Sequence, residues 1–205
     1  MTGVGEFEAI VLAAGAGTRF GGGKLLAPYG DGVLLEGALR AAFAAPVRGV
    51  TVVTGSDPSR VGAAVMAYAR QAGQYERLRI VHAVDHAEGM GASLRHGAAA
   101  LPADTEAVFV FLGDMPRIPV SVLELLAQAV RDGAPAAAAT FGGKRGHPAV
   151  IGAALIPQLL TLQGDAGARA VLQGLGDQLV LVQASDDGVL FDVDKPADLE
   201  VGAKK

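Results

Sequence analysis

No cysteine occurs in the 205 residues, which removes disulfides, zinc–thiolate sites and thiol nucleophiles at once. Tryptophan is absent too, and aromatic residues make up only 5% of the chain, so a stacking platform for single-stranded nucleic acid is not expected. Clusters of positive charge are missing: 17 Lys and Arg stand against 21 Asp and Glu, a formal charge of -4. Duplex nucleic acid needs a basic surface for its phosphates, so any nucleotide bound here should be a small one. The chain lacks a run of about 18 apolar residues free of glycine or charge, so no membrane span is expected. The opening Met1-Thr2-Gly3-Val4-Gly5-Glu6 has no basic stretch followed by an apolar one, so a secretory signal is not read there and the expected location is cytoplasmic.

What is present is apolar and glycine-rich. Hydrophobic residues reach 51%, and the length suits one domain over residues 1–205. Short β-branched runs at 9–12, 50–53, 78–81 and 108–112, each bounded by Gly, Pro or Asp, read as strands buried on both faces. Ala/Leu-rich segments of helical spacing lie between or after them, at 34–45, 58–71, 92–100 and 119–131. Alternating strand and helix predicts a three-layer, Rossmann-like α/β fold with a mainly parallel sheet. Beyond Gly133 the order loosens, with strands expected at 136–141, 148–151, 179–183 and 188–192 and a helix near 156–160. Phe141-Gly142-Gly143-Lys144-Arg145-Gly146 looks like a hairpin connection, so some antiparallel pairing is expected in this half.

The segment Leu12-Ala13-Ala14-Gly15-Ala16-Gly17-Thr18-Arg19-Phe20-Gly21-Gly22-Gly23-Lys24 directly follows the first strand. Small residues let main-chain N–H groups approach an anion, and Arg19 and Lys24 supply charge for a triphosphate. A P-loop is excluded because Lys24 is followed by Leu25 rather than Ser or Thr. A dinucleotide-binding turn lacks its third glycine, and a merely flexible loop would not need two cations. Asp114 sits just past the 108–112 strand, where open α/β sheets place their ligand crevice, and could hold Mg2+ together with substrate phosphates. The alternative role for it is a turn or cap residue ahead of Pro116. His82, His86 and His96 have no metal-ligand spacing and read as solvated or core histidines.

Residues 12–24 resemble the L-A-x-G-x-G-T-R-x-G-x-x-K signature of the nucleotidyltransferase superfamily. Further motifs follow in order: Gly89-Met90-Gly91-Ala92-Ser93-Leu94, Leu112-Gly113-Asp114-Met115-Pro116, Gly146-His147-Pro148, Gly164-Asp165-Ala166-Gly167-Ala168-Arg169 and Asp192-Val193-Asp194-Lys195-Pro196. Together they resemble the molybdenum cofactor cytidylyltransferase-like branch over nearly the whole chain. The resemblance implies nucleotide binding by Leu12, Ala13, Ala14, Gly15, Gly17, Lys24, Gly89 and Ser93, and catalysis by Arg19, Lys24 and Asp114. It implies Mg2+ on Asp114 and Asp194, with Asp192 as competitor for the second place; Asp194 could instead begin a helix. His147, Asp165 and Arg169 would face the acceptor, although a turn histidine and a surface ion pair would look the same. The implied reaction is CMP transfer from CTP to a molybdopterin-type phosphate with release of pyrophosphate, and a molybdenum hydroxylase or its chaperone would be the downstream partner. Ala13-Ala14, where guanylyl-transferring relatives tend to show Gly, points to cytidine. The branch commonly has an Asn upstream of Gly89, and residues 82–86 have none. Two alternatives remain open: an NAD(P)H-dependent oxidoreductase on the same scaffold, as in nicotine blue oxidoreductase, which resembles this family, and a noncatalytic protein that binds and inserts the cofactor.

Overall fold

The computed structural model describes residues 6–202; residues 1–5, where the absence of a signal is read, and 203–205 lie outside it. β1 (Phe7–Ala13) leads through a loop to a small ribbon, β2 (Pro28–Tyr29) and β3 (Gly32–Val33), then to α1 (Leu34–Ala44), β4 (Gly49–Thr54), α2 (Pro58–Gln71), β5 (Leu78–His82), α3 (Met90–Ala99) and β6 (Ala107–Leu112). After these come α4 (Ser121–Arg131), β7 (Ala136–Phe141), β8 (Lys144–Gly152), the short α5 (Ile156–Leu159), α6 (Gly167–Gln173), β9 (Leu179–Gln183) and α7 (Pro196–Gly202).

One seven-stranded sheet runs in the order β5-β4-β1-β6-β8-β7-β9. β5, β4, β1 and β6 are mutually parallel, β9 is parallel to β7, and β8 is antiparallel to both β6 and β7. The expected α/β class and its antiparallel C-terminal pairing are both present. β7 turns into β8 through Gly142 (φ 56°) and Gly143 (φ 74°), two successive left-handed residues that side chains other than glycine adopt only with strain.

The central strands read as continuous apolar runs because both of their faces are covered. Ala9 and Val11 of β1 meet Leu35 and Leu39 of α1, Val65 of α2 and Leu126 of α4 in one core. Ile10 of β1 and Val110 of β6 turn the other way, into a second core with Leu94 of α3, Leu159 of α5 and Val171 of α6. Alternation along each strand thus builds a three-layer sandwich.

Three expectations need correction. Lys144–Gly146, read as part of the hairpin connection, are already in β8, whose Lys144 and Arg145 pair with Phe141 and Thr140 at the end of β7. Residues 188–192 do not form a strand; Asp187–Leu190 is a 3-10 helix. Its start is set by the Asp186 carboxylate, which accepts from the Gly188 N–H at 2.8 Å and gives the backbone a local alternative to a ladder. α4 begins at Ser121 rather than 119, after a turn in which the Val122 N–H bonds the Pro119 carbonyl.

Candidate nucleotide-binding site

The loop after β1 is anchored at its start and folded back on itself. The Ala14 carbonyl accepts from Ser56 N at 3.1 Å, and Ser56 Oγ donates to the Gly15 carbonyl at 3.1 Å, which ties the loop to the end of β4. The Gly17 carbonyl then accepts from both Phe20 N (2.9 Å) and Gly22 N (3.1 Å). Gly17 itself lies at φ 60°, and a Cβ there would come within 2.9 Å of the Lys24 Cβ. A glycine is therefore what lets the loop return Lys24 to the ends of the central strands.

Lys24 Nζ lies 2.7 Å from Asp114 Oδ2 and 3.9 Å from Asp194 Oδ1. Asp114 follows β6, and its carbonyl accepts from Val193 N at 3.1 Å, which holds the 192–194 segment alongside. Arg19 reaches Asp194 Oδ2 at 3.1 Å with a side chain 80% exposed, on an outer depression it shares with Asp192 and Asp198. Asp114 does lie in a turn, closed by the Met115 N–H on the Leu112 carbonyl at 3.2 Å, but neither its carboxylate nor that of Asp194 makes a capping bond among the described residues. The carboxylate of Asp198 reaches back to the N–H groups of Asp194 (3.0 Å) and Lys195 (2.9 Å) at the start of α7, and those bonds lower its pKa. The Asp114 and Asp194 carboxylates pair with cations instead.

Two cavities open over the carboxyl ends of the strands. The first, about 510 Å³, is lined by Leu12, Ala14, Gly15 and Gly17 from the loop, by Lys24 and Asp114, and by Gly89 and Ser93 from the start of α3. Ala13 does not line it: alternation on β1 turns that side chain into the core. Arg19 does not line it either; the folded loop carries its side chain outward. The second cavity, about 650 Å³, is lined by His147, Asp165 and Arg169 together with Arg145 and apolar Leu172 and Leu181. Leu12, Met90, Leu112 and Asp165 border both, so the cavities adjoin. The common wall depends on close backbone approach: Gly91 N donates to the Gly164 carbonyl at 2.7 Å, and a Cβ on Gly89 would meet Asp165 Oδ1 at 2.5 Å.

Residues 9–180 match the family described as the MobA-like NTP transferase domain. The chain belongs to that family. Nicotine blue oxidoreductase from Paenarthrobacter nicotinovorans is 34% identical to it over 193 residues, 90% of each chain. Molybdenum cofactor cytidylyltransferase from Escherichia coli (strain K12) is 27% identical over 192 residues, 93% of this chain and 92% of the relative. Among solved structures, Rv0371c from Mycobacterium tuberculosis H37Rv superposes with a TM-score of 0.80 at 24% identity, with 98% of each chain covered, a likeness of fold.

In this NTP transferase domain negative charge is crowded around Lys24. The pKa of Asp192 is raised, first by burial and then by the charges of Asp114 and Asp194. A divalent cation would relieve that crowding. Among the described residues no group of three or more His, Asp or Glu forms a ready metal cage. Magnesium needs only one or two carboxylates when substrate phosphates complete its shell, so Asp114 and Asp194 fit that ion.

Electrostatics in the second cavity favour an anion. Among the described residues neither Arg145 nor Arg169 is ion-paired, although both line the cavity wall. The Nδ1 of His147 is buried without a partner. Burial lowers the pKa of this imidazole below its ordinary 6.5, against the opposing pull of the Val110 backbone and the Asp114 charge. Two titratable or charged lining residues, Arg145 and His86, lie outside the residues that the motifs assign to the site. Arg145 stands two positions before His147 on β8 and so shares its face, a signal available from strand periodicity. His86, read as solvated or core, lines the first cavity, and no motif announces it.

Proposed function

We propose that this chain is a magnesium-dependent cytidylyltransferase, acting as one cytoplasmic domain, that transfers CMP from CTP to the phosphate of a molybdopterin-type acceptor. The observation that carries the reading is the adjoining pair of cavities, with Lys24 and Asp114 beside the first and, in the second, two arginines that have no ion-pair partner among the described residues, against the one carboxylate of Asp165. The loop N–H groups and Lys24 would hold the triphosphate, while Arg145, Arg169 and His147 would hold the acceptor phosphate towards its α-phosphorus. One acceptor oxygen forms a bond to the α-phosphorus as the bond to the bridging oxygen breaks, and pyrophosphate leaves with that electron pair. The acceptor is already anionic at neutral pH, so no side chain has to remove a proton. Lys24 neutralises the charge that develops on the phosphates, an electrostatic role that requires fixed position more than basicity. Asp114 and Asp194 would hold Mg2+, which supplies further charge neutralisation at the phosphate oxygens. Support for cytidine comes from Ala14, the residue of the Ala13-Ala14 pair that lines the first cavity, and from the likeness to the molybdenum cofactor cytidylyltransferase of E. coli.

A second reading has its own support, because nicotine blue oxidoreductase is a relative at 34% identity. It would make the first cavity a site for NAD(P)H. The two separate in one experiment, in which the protein is given Mg2+ and molybdopterin with each nucleoside triphosphate, and in parallel NAD(P)H with a quinonoid dye. Pyrophosphate release that requires CTP supports transfer. NAD(P)H oxidation without pyrophosphate release overturns it.

A further inference from the structure

The first cavity has two chemically distinct ends. Lys24 and Asp114 mark the end beside β6, whereas the end beside β4 is closed by the 83–89 loop. That loop carries His86, the one ring among the described residues lining the cavity. The imidazole rests on the backbone at Gly55: a Cβ there would meet the His86 Cγ at 2.7 Å and the Ala14 carbonyl at 2.5 Å. Gly55 therefore makes room for a ring laid over the end of β4, next to the anchored start of the glycine loop.

The loop that presents His86 is fixed rather than loose. Asp85, the preceding residue, accepts from Arg95 Nη2 at 2.6 Å and bonds His96 Nε2 at 2.7 Å, both on α3. Arg95 also donates to the Leu162 carbonyl at 2.6 Å. The Ala83 N–H bonds the Thr54 carbonyl at 2.9 Å and His86 N bonds the Ala83 carbonyl at 3.2 Å. With phosphates at Lys24, the end of the cavity lined by His86 is the space left for a base.

Resting on the nucleotide reading above, we propose that His86 is the base-stacking residue of the site, with its imidazole face laid against the heterocycle. Stacking of this kind tolerates different bases, so His86 supplies affinity for the nucleoside and leaves base choice to the neighbouring backbone.

Calorimetry with Mg2+ tests this on the intact protein, using CTP and, as a probe without a nucleoside, inorganic tripolyphosphate. His86→Ala should weaken CTP binding about tenfold and leave tripolyphosphate binding unchanged. His86→Phe, which keeps a flat ring but no nitrogen, should bind CTP within about threefold of the unaltered protein. Unchanged CTP affinity in His86→Ala, or an equal loss for both probes, overturns the assignment to the base. Loss in His86→Phe as large as in His86→Ala overturns stacking in favour of a hydrogen bond. If the unaltered protein binds tripolyphosphate but gains nothing from the nucleoside, the nucleotide reading itself fails, a result distinct from failure at His86.

Discussion

Lys24 and Asp114 lie 90 positions apart in the chain and 2.7 Å apart in space, with 14% and 24% of their side chains exposed. Removal of either charge should act mainly on the reaction. Asp114→Asn and Lys24→Met should each lower kcat/KM for CTP on the order of 10²–10³-fold. The melting temperature of Asp114→Asn should stay within about 4 °C of the unaltered protein, since the Lys24 left behind keeps some solvent and a second partner in Asp194. Lys24→Met, which leaves the like charges of Asp114 and Asp194 without the lysine they share, should melt lower than Asp114→Asn. Steady-state kinetics and calorimetric melting check both halves. Arg145→Ala belongs to the other cavity and should raise the KM for the acceptor about tenfold, through a lost charge-assisted contact, while the Kd for CTP stays unchanged. At this scale the sequence is uneven. Lys24, Asp114 and Asp194 are legible because their motifs surround them with glycine or proline, whose backbone demands leave a pattern. Arg145 and His86 come to line the cavities through the direction a side chain takes, which no spacing rule records for His86 and strand alternation only hints at for Arg145. Arg19 shows the reverse: it stands inside the motif, yet the backbone turn carries it out of the first cavity to Asp194.

Among the elements, the loop between β1 and the first ribbon carries the most constraint. Gly17→Ala combines a left-handed φ of 60° with a 2.9 Å approach to the Lys24 Cβ, so the loop must open or Lys24 must shift. It should cost about 1–2 kcal/mol of stability in denaturant melts. Affinity for tripolyphosphate should fall with it, whereas Gly21→Ala, at φ 93° but with nothing near its missing Cβ, should strain the backbone and leave Lys24 in place. Equal affinities in the two variants would contradict the role given to Gly17. Central strands were readable as elements because burial on both faces makes them uniformly apolar, and the β7–β8 turn because successive glycines permit its positive φ values. The segment after β9 was not, since Val189 is buried and Leu190 partly buried as a strand's residues could be, while the Asp186 side-chain bond starts a 3-10 helix. α6 is not legible either, because at seven residues it is too short for periodicity to mark.

For the whole molecule, the sheet order sets β1 and β6 side by side at its centre, so that a glycine loop and an acidic loop from distant parts of the chain meet over adjoining cavities. Placing His147 below this junction has a consequence for stability against pH. Its pKa is lowered in the folded protein, so below 6.5 the unfolded chain takes up a proton that the folded one does not. Its contribution is fully present above pH 6.5 and is lost as pH falls from there towards the lowered value. His147→Gln should therefore melt with a shallower decline than the unaltered protein below pH 6.5; parallel melting curves would contradict it. The central claim is that these two cavities join a nucleotide's α-phosphorus to an acceptor's phosphate. The most direct measurement follows CTP radiolabelled at its α-phosphorus through a reaction with molybdopterin and Mg2+, beside CTP labelled at its γ-phosphorus. The account predicts the α-label in the pterin product and the γ-label only in pyrophosphate; γ-label in the pterin product, or no label there from either substrate, would contradict it.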